Sequence, residues 1–299
     1  MSTWIVTANG SAVPVLAALA ADSVSALVVG SAQAAQAAAE GPVAEVVWIE
    51  PEPNTPPEAY APAAAKAAAS AAPEVVIAEN TPEGRALAGA VAVALGAAVV
   101  PGASAWHTDD GVTRVEYARH GGIVEEVLDV AGPVVVLRDA VGDPPAPTAA
   151  APIRKVPAQG LAATVVDEAQ APTESVDLTA AKTVIGVGRG LKAEADLALI
   201  EELAKALRGE IGCTRPLAEG VTWLSKSRYI GMSGATIAPT LYLAIGISGQ
   251  LQHMAGVRGA KRIVAVNTDD AAPVFAEADY GIVGDLYAIV PAIAAALGT

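Results

Sequence analysis

Residues 228–253 read RYIGMSGATIAPTLYLAIGISGQLQH. Gly231, Gly234, Gly246 and Gly249 let a backbone approach a ligand closely, and Ser233 and Ser248 place hydroxyls where amides would gather around a phosphate. The stretch lies between segments that read as a strand and a helix, so it is a nucleotide-binding signal within an α/β pattern. A glycine-rich turn before a helix also serves plain packing, and its neighbours decide between the two. Pro239 opens an apolar run, 240–246, that reads as a helix. The Ile247-Ser248-Gly249 turn then opens another, which directs successive amides outward as a diphosphate requires, with His253 one turn in.

The flanks repeat a strand-then-helix pattern. Residues 182–188, KTVIGVG, read as a buried strand entering a turn at Gly188-Arg189-Gly190. Leu197, Ile200, Leu203 and Leu207 recur at helical spacing; Glu194 and Asp196 suit the positive end of that helix, Lys205 and Arg208 its negative end, and Gly209 closes it. Strands at 210–213, 262–266 and 280–283 and a last helix at 285–297 complete a doubly wound unit. Ligands of open parallel sheets gather beyond the carboxyl ends of the strands. Arg189, Thr214-Arg215, Asn267 and Asp285 each follow such an end. Any one of them is explained by a cap or a surface ion pair, whereas four together point to a site.

Residues 1–140 alternate short Val/Ile runs with Ala-rich helical stretches, the pattern of a parallel-sheet, nucleotide-binding-like domain. Strands are expected at 4–7, 26–29, 45–49, 75–78, 97–100, 112–117 and 134–138, and helices at 11–21, 31–39, 57–71 and 82–95. Thr81-Pro82-Glu83 opens the last of these with a capping hydroxyl, a first-turn proline and an early acid. This half holds no G-x-G-x-x-G and no dense polar cluster; His107, His120, Asp109 and Asp110 read as solvated loop positions. The run DPPAPTAAAP at 143–152 resists regular structure and reads as an exposed connection, and a second polar stretch follows at 167–179. The domain boundary is drawn between these markers, giving units 1–172 and 173–299.

Composition narrows the function. A length of 299 residues suits two domains, and the 53% hydrophobic content is carried by Ala and Val with one Phe, as Ala-faced helices on Val/Ile strands require. A net charge of −14 argues against nucleic acid and anionic lipid, which need clustered Lys and Arg. The uncharged run 86–106 is broken by Gly89, Gly96, Pro101, Gly102 and Ser104 and reads as helix, strand and turn, so no direct membrane insertion is expected. No Lys or Arg precedes Lys66, which removes the basic start of a secretory signal, and the lone Cys213 rules out an internal disulfide; both suit a cytoplasmic protein. There is no G-x-S-x-G, no H-E-x-x-H and no second cysteine, so no catalytic or metal constellation is expected. The chain reads as the holder of a cofactor.

From residue 182 to residue 297 the chain resembles the FAD domain of the electron transfer flavoprotein alpha subunit. The likeness rests on Gly188-Arg189-Gly190-Leu191-Lys192, Thr214-Arg215-Pro216, Gly231-Met232-Ser233-Gly234, Leu241-Tyr242 after Pro239, Gly246-Ile247-Ser248-Gly249-Gln250-Leu251-Gln252-His253, Val264-Ala265-Val266-Asn267, Ala272-Pro273-Val274-Phe275 and 278–286, ADYGIVGDL. The first half is similar to the family's other alpha-subunit domain only in pattern, chiefly around 117–138.

The resemblance implies FAD, a heterodimer with a beta subunit that the N-terminal domain contacts, flavin dehydrogenases as electron donors, and a quinone oxidoreductase or another redox acceptor. It carries FAD contacts onto Arg189, Thr214, Arg215, Ile230, Gly231, Met232, Ser233, Ser248, Gly249, Gln250, Leu251, Gln252, His253, Asn267, Asp285 and Leu286. Arg215 would lie against the isoalloxazine, Ser233 near its N5 and His253 near its C2 carbonyl.

Two departures stand out. The usual Gly-Gln-Thr-Gly is Gly231-Met232-Ser233-Gly234 here, and the usual Ser-Gly-Ala is Ser248-Gly249-Gln250. The first loses one polar contact and exchanges a stiff hydroxyl for a looser one. With Trp223-Leu224 and Arg228-Tyr229-Ile230-Gly231, these changes resemble the Fix-like and bifurcating branch. Two other readings stand beside this one: a stand-alone NAD(P)-binding oxidoreductase module, against which the missing dinucleotide fingerprint counts, and a non-redox nucleotide-binding subunit, against which Arg215, Ser233 and His253 count.

Overall fold

The computed structural model describes residues 2–20, 22–147, 149–167 and 176–298. The chain divides into two compact units, 1–169 and 170–299. A boundary at 172/173 falls outside the described residues.

The first unit contains β1 (Thr3–Thr7), α1 (Val13–Ala17), β2 (Val24–Val29), α2 (Ala32–Ala39), β3 (Val46–Ile49), α3 (Ala61–Ala71), β4 (Val75–Glu79), α4 (Pro82–Leu95), β5 (Ala98–Pro101), β6 (Ala103–Asp109), β7 (Val112–Arg119), β8 (Val124–Ala131), β9 (Val134–Arg138) and β10 (Ile153–Lys155). Seven of these strands form one sheet in the order β10-β3-β2-β1-β4-β9-β5, every pairing parallel. Strands of such a sheet are buried on both faces, which is why they read as unbroken apolar runs. Ile5 and Ile77 pack on one face with Val13, Leu16 and Ala35, whereas Trp4, Val6 and Val76 pack on the other with Ala64, Leu87 and Val91. Each buried Val, Leu or Ile stabilises by roughly 1.5–3 kcal/mol, so the strands and α4 carry this core more than the alanine helices do. Local signals fix α4 at both ends: Thr81 accepts from the Gly84 amide, and Gly96 ends the helix at φ 63°.

Three features depart from expectation. The strand placed at 112–117 belongs to a separate antiparallel sheet, β6-β7-β8. Its alternation of buried Thr113 and Val115 with exposed Arg114 and Glu116 is that of a sheet with one solvated face. His107 and Asp109 accordingly stand exposed on a strand rather than in a loop. Second, a polar cluster does exist in this half. The parallel register brings Thr7 beside Glu79, whose carboxylate accepts from the Thr7 hydroxyl at 2.7 Å, with Asn9 at 3.5 Å. Burial raises the Glu79 pKa against the lowering effect of these donors. Seventy-odd residues of separation hid this cluster from linear inspection. Third, the proline-rich run does not leave the unit, because β10 returns to pair with β3.

The second unit contains β11 (Thr183–Val187), α5 (Leu197–Leu207), β12 (Glu210–Cys213), β13 (Leu241–Ile245), α6 (Leu251–Met254), β14 (Ile263–Asn267), α7 (Val274–Glu277), β15 (Tyr280–Val283) and α8 (Leu286–Ala296). Its sheet runs β12-β11-β13-β14-β15, all parallel, which is the doubly wound order 2-1-3-4-5. The run 240–246, expected as a helix, supplies β13, the central strand. Five apolar residues between Pro239 and Gly246 are too few for a helix and suit a strand buried on both faces. Helix α5 ends in a left-handed Arg208, φ 51°, one residue before the expected glycine. β15 lies at the sheet's edge with all four residues exposed, Tyr280 at 65% and Val283 at 58%. No described helix is long and apolar enough to cross a membrane.

Candidate cofactor site

In the order 2-1-3-4-5 the connections from the first and third strands leave in opposite directions, and a crevice opens beyond their carboxyl ends. Here these strands are β11 and β13, and the loops are 188–192 and 246–250. They touch through glycine: a Cβ on Gly190 would lie 2.5 Å from the Gly246 Cα. Beside this contact lies a cleft of about 770 Å³, within the range of ligand sites.

Of the residues carried over from the resemblance, Arg189, Thr214, Arg215, Met232, Ser233, Ser248, Gln250, Gln252, His253, Asn267, Asp285 and Leu286 line this cleft. Ile230, Gly231, Gly249 and Leu251 do not line it. Ile230 is fully buried in the core, and Gly249, at φ 82°, packs on Val274. These residues shape the walls from behind. Lys192, Tyr229, Thr268 and Tyr287 also line the cleft and were not foreseen as site residues. Tyr287 joins two elements: its hydroxyl accepts from the Lys192 amide at 2.8 Å and donates to the Asp196 carboxylate, while the Lys192 ammonium sits 4.9 Å from its ring centroid. Tyrosine after Leu286 reads as core packing in a linear scan, and only the fold reveals this partnership.

Charge in the cleft is mainly positive. Arg189, Lys192 and Arg215 face one acid, Asp285, whose carboxylate is engaged in capping α8 through the Tyr287 amide at 3.0 Å. The Arg215 side chain is 68% exposed. It is held by Glu219 one helical turn on, Nε to Oε2 at 2.7 Å; this bond raises the Arg215 pKa and lowers that of Glu219. Helix α6 starts at Leu251 with no side-chain N-cap, so its first amides remain for solvent or ligand. Asn267 is spent on the scaffold, donating to the Ile247 carbonyl at 2.8 Å and accepting from the Asp269 amide at 3.0 Å. Cations, hydroxyls and uncapped amides around a cleft of this size fit a diphosphate-bearing cofactor. Cys213 is fully buried beneath it, its pKa pushed up to about 12 by burial, so it stays an inert thiol. Among the described residues no group of His, Cys, Asp and Glu could hold a metal ion.

His253 borders the cleft but turns its ring inward. Its Nδ1 lies 3.0 Å from the Ile230 carbonyl and its Nε2 2.7 Å from the Tyr242 hydroxyl. A carbonyl only accepts, so Nδ1 carries the proton and Nε2 accepts from tyrosine. Both nitrogens are therefore engaged within the protein. Burial depresses the His253 pKa from 6.5 to about 4 against the raising effect of the Ile230 carbonyl. The unfolded chain binds this proton more tightly, so the contribution is whole above pH 6.5 and is lost as pH falls through 4, up to about 3 kcal/mol. His253→Gln should flatten the acid limb of stability between these limits; urea midpoints measured from pH 4 to pH 7 will test this, and an unchanged limb would refute it.

Comparison with known proteins bears on this geometry. The family model described as the electron transfer flavoprotein domain matches residues 11–161, and that described as the electron transfer flavoprotein FAD-binding domain matches residues 177–258. The putative electron transfer flavoprotein subunit YdiR of Escherichia coli (strain K12) is 41% identical over 227 residues, covering 74% of this chain and 73% of its own length. Protein FixB of Escherichia coli O81 (strain ED1a) is 40% identical over 231 residues, covering 75% of this chain and 73% of its own. The matched FAD-binding segment supplies β11, β12, β13 and α6, around whose ends the cleft opens. With FAD as its cofactor, the chain belongs to the electron transfer flavoprotein family as an alpha-type, Fix-like member.

Proposed function

We propose that this chain carries FAD in a heterodimer with a beta subunit, takes electrons from flavin dehydrogenases, and passes them to a quinone oxidoreductase or another acceptor in the cytoplasm. The observation that carries this reading is the exposed guanidinium of Arg215, tethered by Glu219 in a cleft that Arg189, Lys192, glycines, hydroxyls and amides also line. A fixed cation beside a redox ring favours the reduced form, which bears more negative charge. FAD bound there supplies one- and two-electron chemistry. The protein's part is to bind, orient and bias. Ser248, Gln250 and the start of α6 would take the diphosphate, Arg215 and Ser233 would flank the ring, and Arg189 and Asp285 would meet the adenosine end.

The alternative of a stand-alone NAD(P) oxidoreductase has one point in its favour, which corrects the expectation that the whole fingerprint is missing: Gly188, Gly190 and Ala193 reproduce the spacing of a dinucleotide turn, and what is missing is its acid. Thr214 and Arg215 stand at the end of β12, where the ribose-binding acid of that fingerprint would be needed.

The test is the visible spectrum of the chain co-purified with its chromosomal neighbour, followed by anaerobic titration with dithionite and with NADH. Flavin bands at one FAD per heterodimer that bleach with dithionite and ignore NADH support a simple carrier. Two flavins with reduction by NADH support a bifurcating complex. A colourless protein that does not rebind FAD overturns the proposal.

A further inference from the structure

Tyr229 does more in this cleft than pack. Its residue is only 7% exposed, yet it lines the cleft, and its hydroxyl lies 3.1 Å from the hydroxyl of Ser233. The loop 229–235 is closed around it: the Ala235 amide donates to the Tyr229 carbonyl at 2.8 Å, and the Gly234 amide to the Gly231 carbonyl at 2.9 Å. The ring occupies room that two glycines leave. A Cβ on Gly234 would lie 2.8 Å from the Tyr229 Cδ1, and one on Gly231 3.2 Å from its hydroxyl. Next door, Arg228 donates to the Ile211 carbonyl at 2.8 Å and anchors the segment to β12.

We propose that Tyr229 is a positioning residue that fixes the Ser233 hydroxyl as a hydrogen-bond donor into the cleft, toward a ring nitrogen of the cofactor. The inference rests on the FAD reading. Serine lacks the methyl that stiffens threonine, so its hydroxyl needs an outside partner to hold one rotamer. A phenol is more acidic than an aliphatic alcohol and is the better donor of the two. In the favoured order the Tyr229 O–H donates to the Ser233 oxygen, which leaves the Ser233 proton for the cleft, and each bond polarises the next. An oxidised flavin ring nitrogen accepts such a proton, whereas the reduced ring presents an N–H there. The pair therefore stabilises the oxidised state more than the reduced one, opposing the bias of Arg215.

The test uses the full chain co-purified with its second subunit, stripped of cofactor and titrated with FAD. Tyr229→Phe keeps the ring and should weaken oxidised FAD about two- to tenfold, the range of one hydrogen bond. The midpoint potential should rise. Ser233→Ala should do the same, Tyr229→Phe should cost less in a Ser233→Thr background than in the wild type, and the double variant Tyr229→Phe with Ser233→Ala should be no weaker than Ser233→Ala alone. Should Tyr229→Phe fail to fold, Tyr229→3-fluorotyrosine, a sharper donor of nearly the same shape, should bind oxidised FAD more tightly. Wild-type affinity and potential in Tyr229→Phe, or losses that multiply in the double variant, would overturn the inference alone. A wild-type complex that binds no FAD would overturn the carrier reading and this inference together.

Discussion

Arg215→Ala is expected to lower the midpoint potential of bound FAD by tens of millivolts, while Glu219→Gln shifts it the other way. The sign follows from charge. Removing the cation withdraws stabilisation from the reduced, more negative ring, and neutralising the carboxylate that shares this cation leaves more positive charge facing the cleft. The size is bounded by exposure: with 68% of the Arg215 side chain in solvent, screening leaves a fraction of the attraction that a buried charge would exert. Tenfold in a one-electron equilibrium is about 59 mV, which sets the scale. Potentiometric titration of both variants at low and at high salt will test the pair. Equal potentials in wild type and Arg215→Ala would remove the electrostatic role assigned to this residue.

A larger effect on stability is expected at Gly249. It adopts φ 82°, where an L side chain is strained, and a Cβ there would stand 2.3 Å from the Val274 amide nitrogen and 2.4 Å from its Cα. The clash is with backbone, so no side-chain rotation relieves it. Gly249→Ala should cost about 2–5 kcal/mol, summing conformational strain and overpacking. Because the loop carries Ser248 and Gln250, FAD retention should fall with it. Gly111 provides the control: it has φ 75° but nothing within 4 Å of a Cβ, so Gly111→Ala should lose only the conformational part, about 1 kcal/mol. Urea midpoints of the two variants should therefore separate clearly, and coincidence would mean that the contact with Val274 is soft.

Much of the site was legible in linear sequence because parallel α/β folds put their chemistry in loops at fixed points of the repeat. Arg189, Thr214, Arg215 and Asp285 each sit directly after a strand, and one alternation of strand and helix was enough to place them together. What stayed hidden needed the third dimension. The run LYLAI reads as helix because proline precedes it and no charge interrupts it, features that a doubly buried strand shares. β6 and β8 escaped notice because their alternation is diluted by Ser, His, Asp and Glu on the solvated face. Tyr229 and Tyr287 look like packing residues along the chain, and their hydroxyl partners lie four and ninety-one residues away. His253 lines the cleft, but the inward hydrogen bonds that occupy its ring depend on Tyr242, which lies in a run that reads as helix.

The exposed edge at β15 bears on how the chain behaves outside a complex. One side of Tyr280–Val283 pairs with β14; among the described residues no strand pairs with the other, and Tyr280, Ile282 and Val283 are exposed. Such an edge is a template for any extended segment, including the same segment of another molecule. Neither a proline nor a lysine lies within it, and Asp279 at its start is tied to the Ile263 amide and to Arg262 on the β14 side. Poor recovery of the chain when it is produced by itself would then report self-adhesion at one strand, and a single lysine at position 282 would be a simpler remedy than refolding.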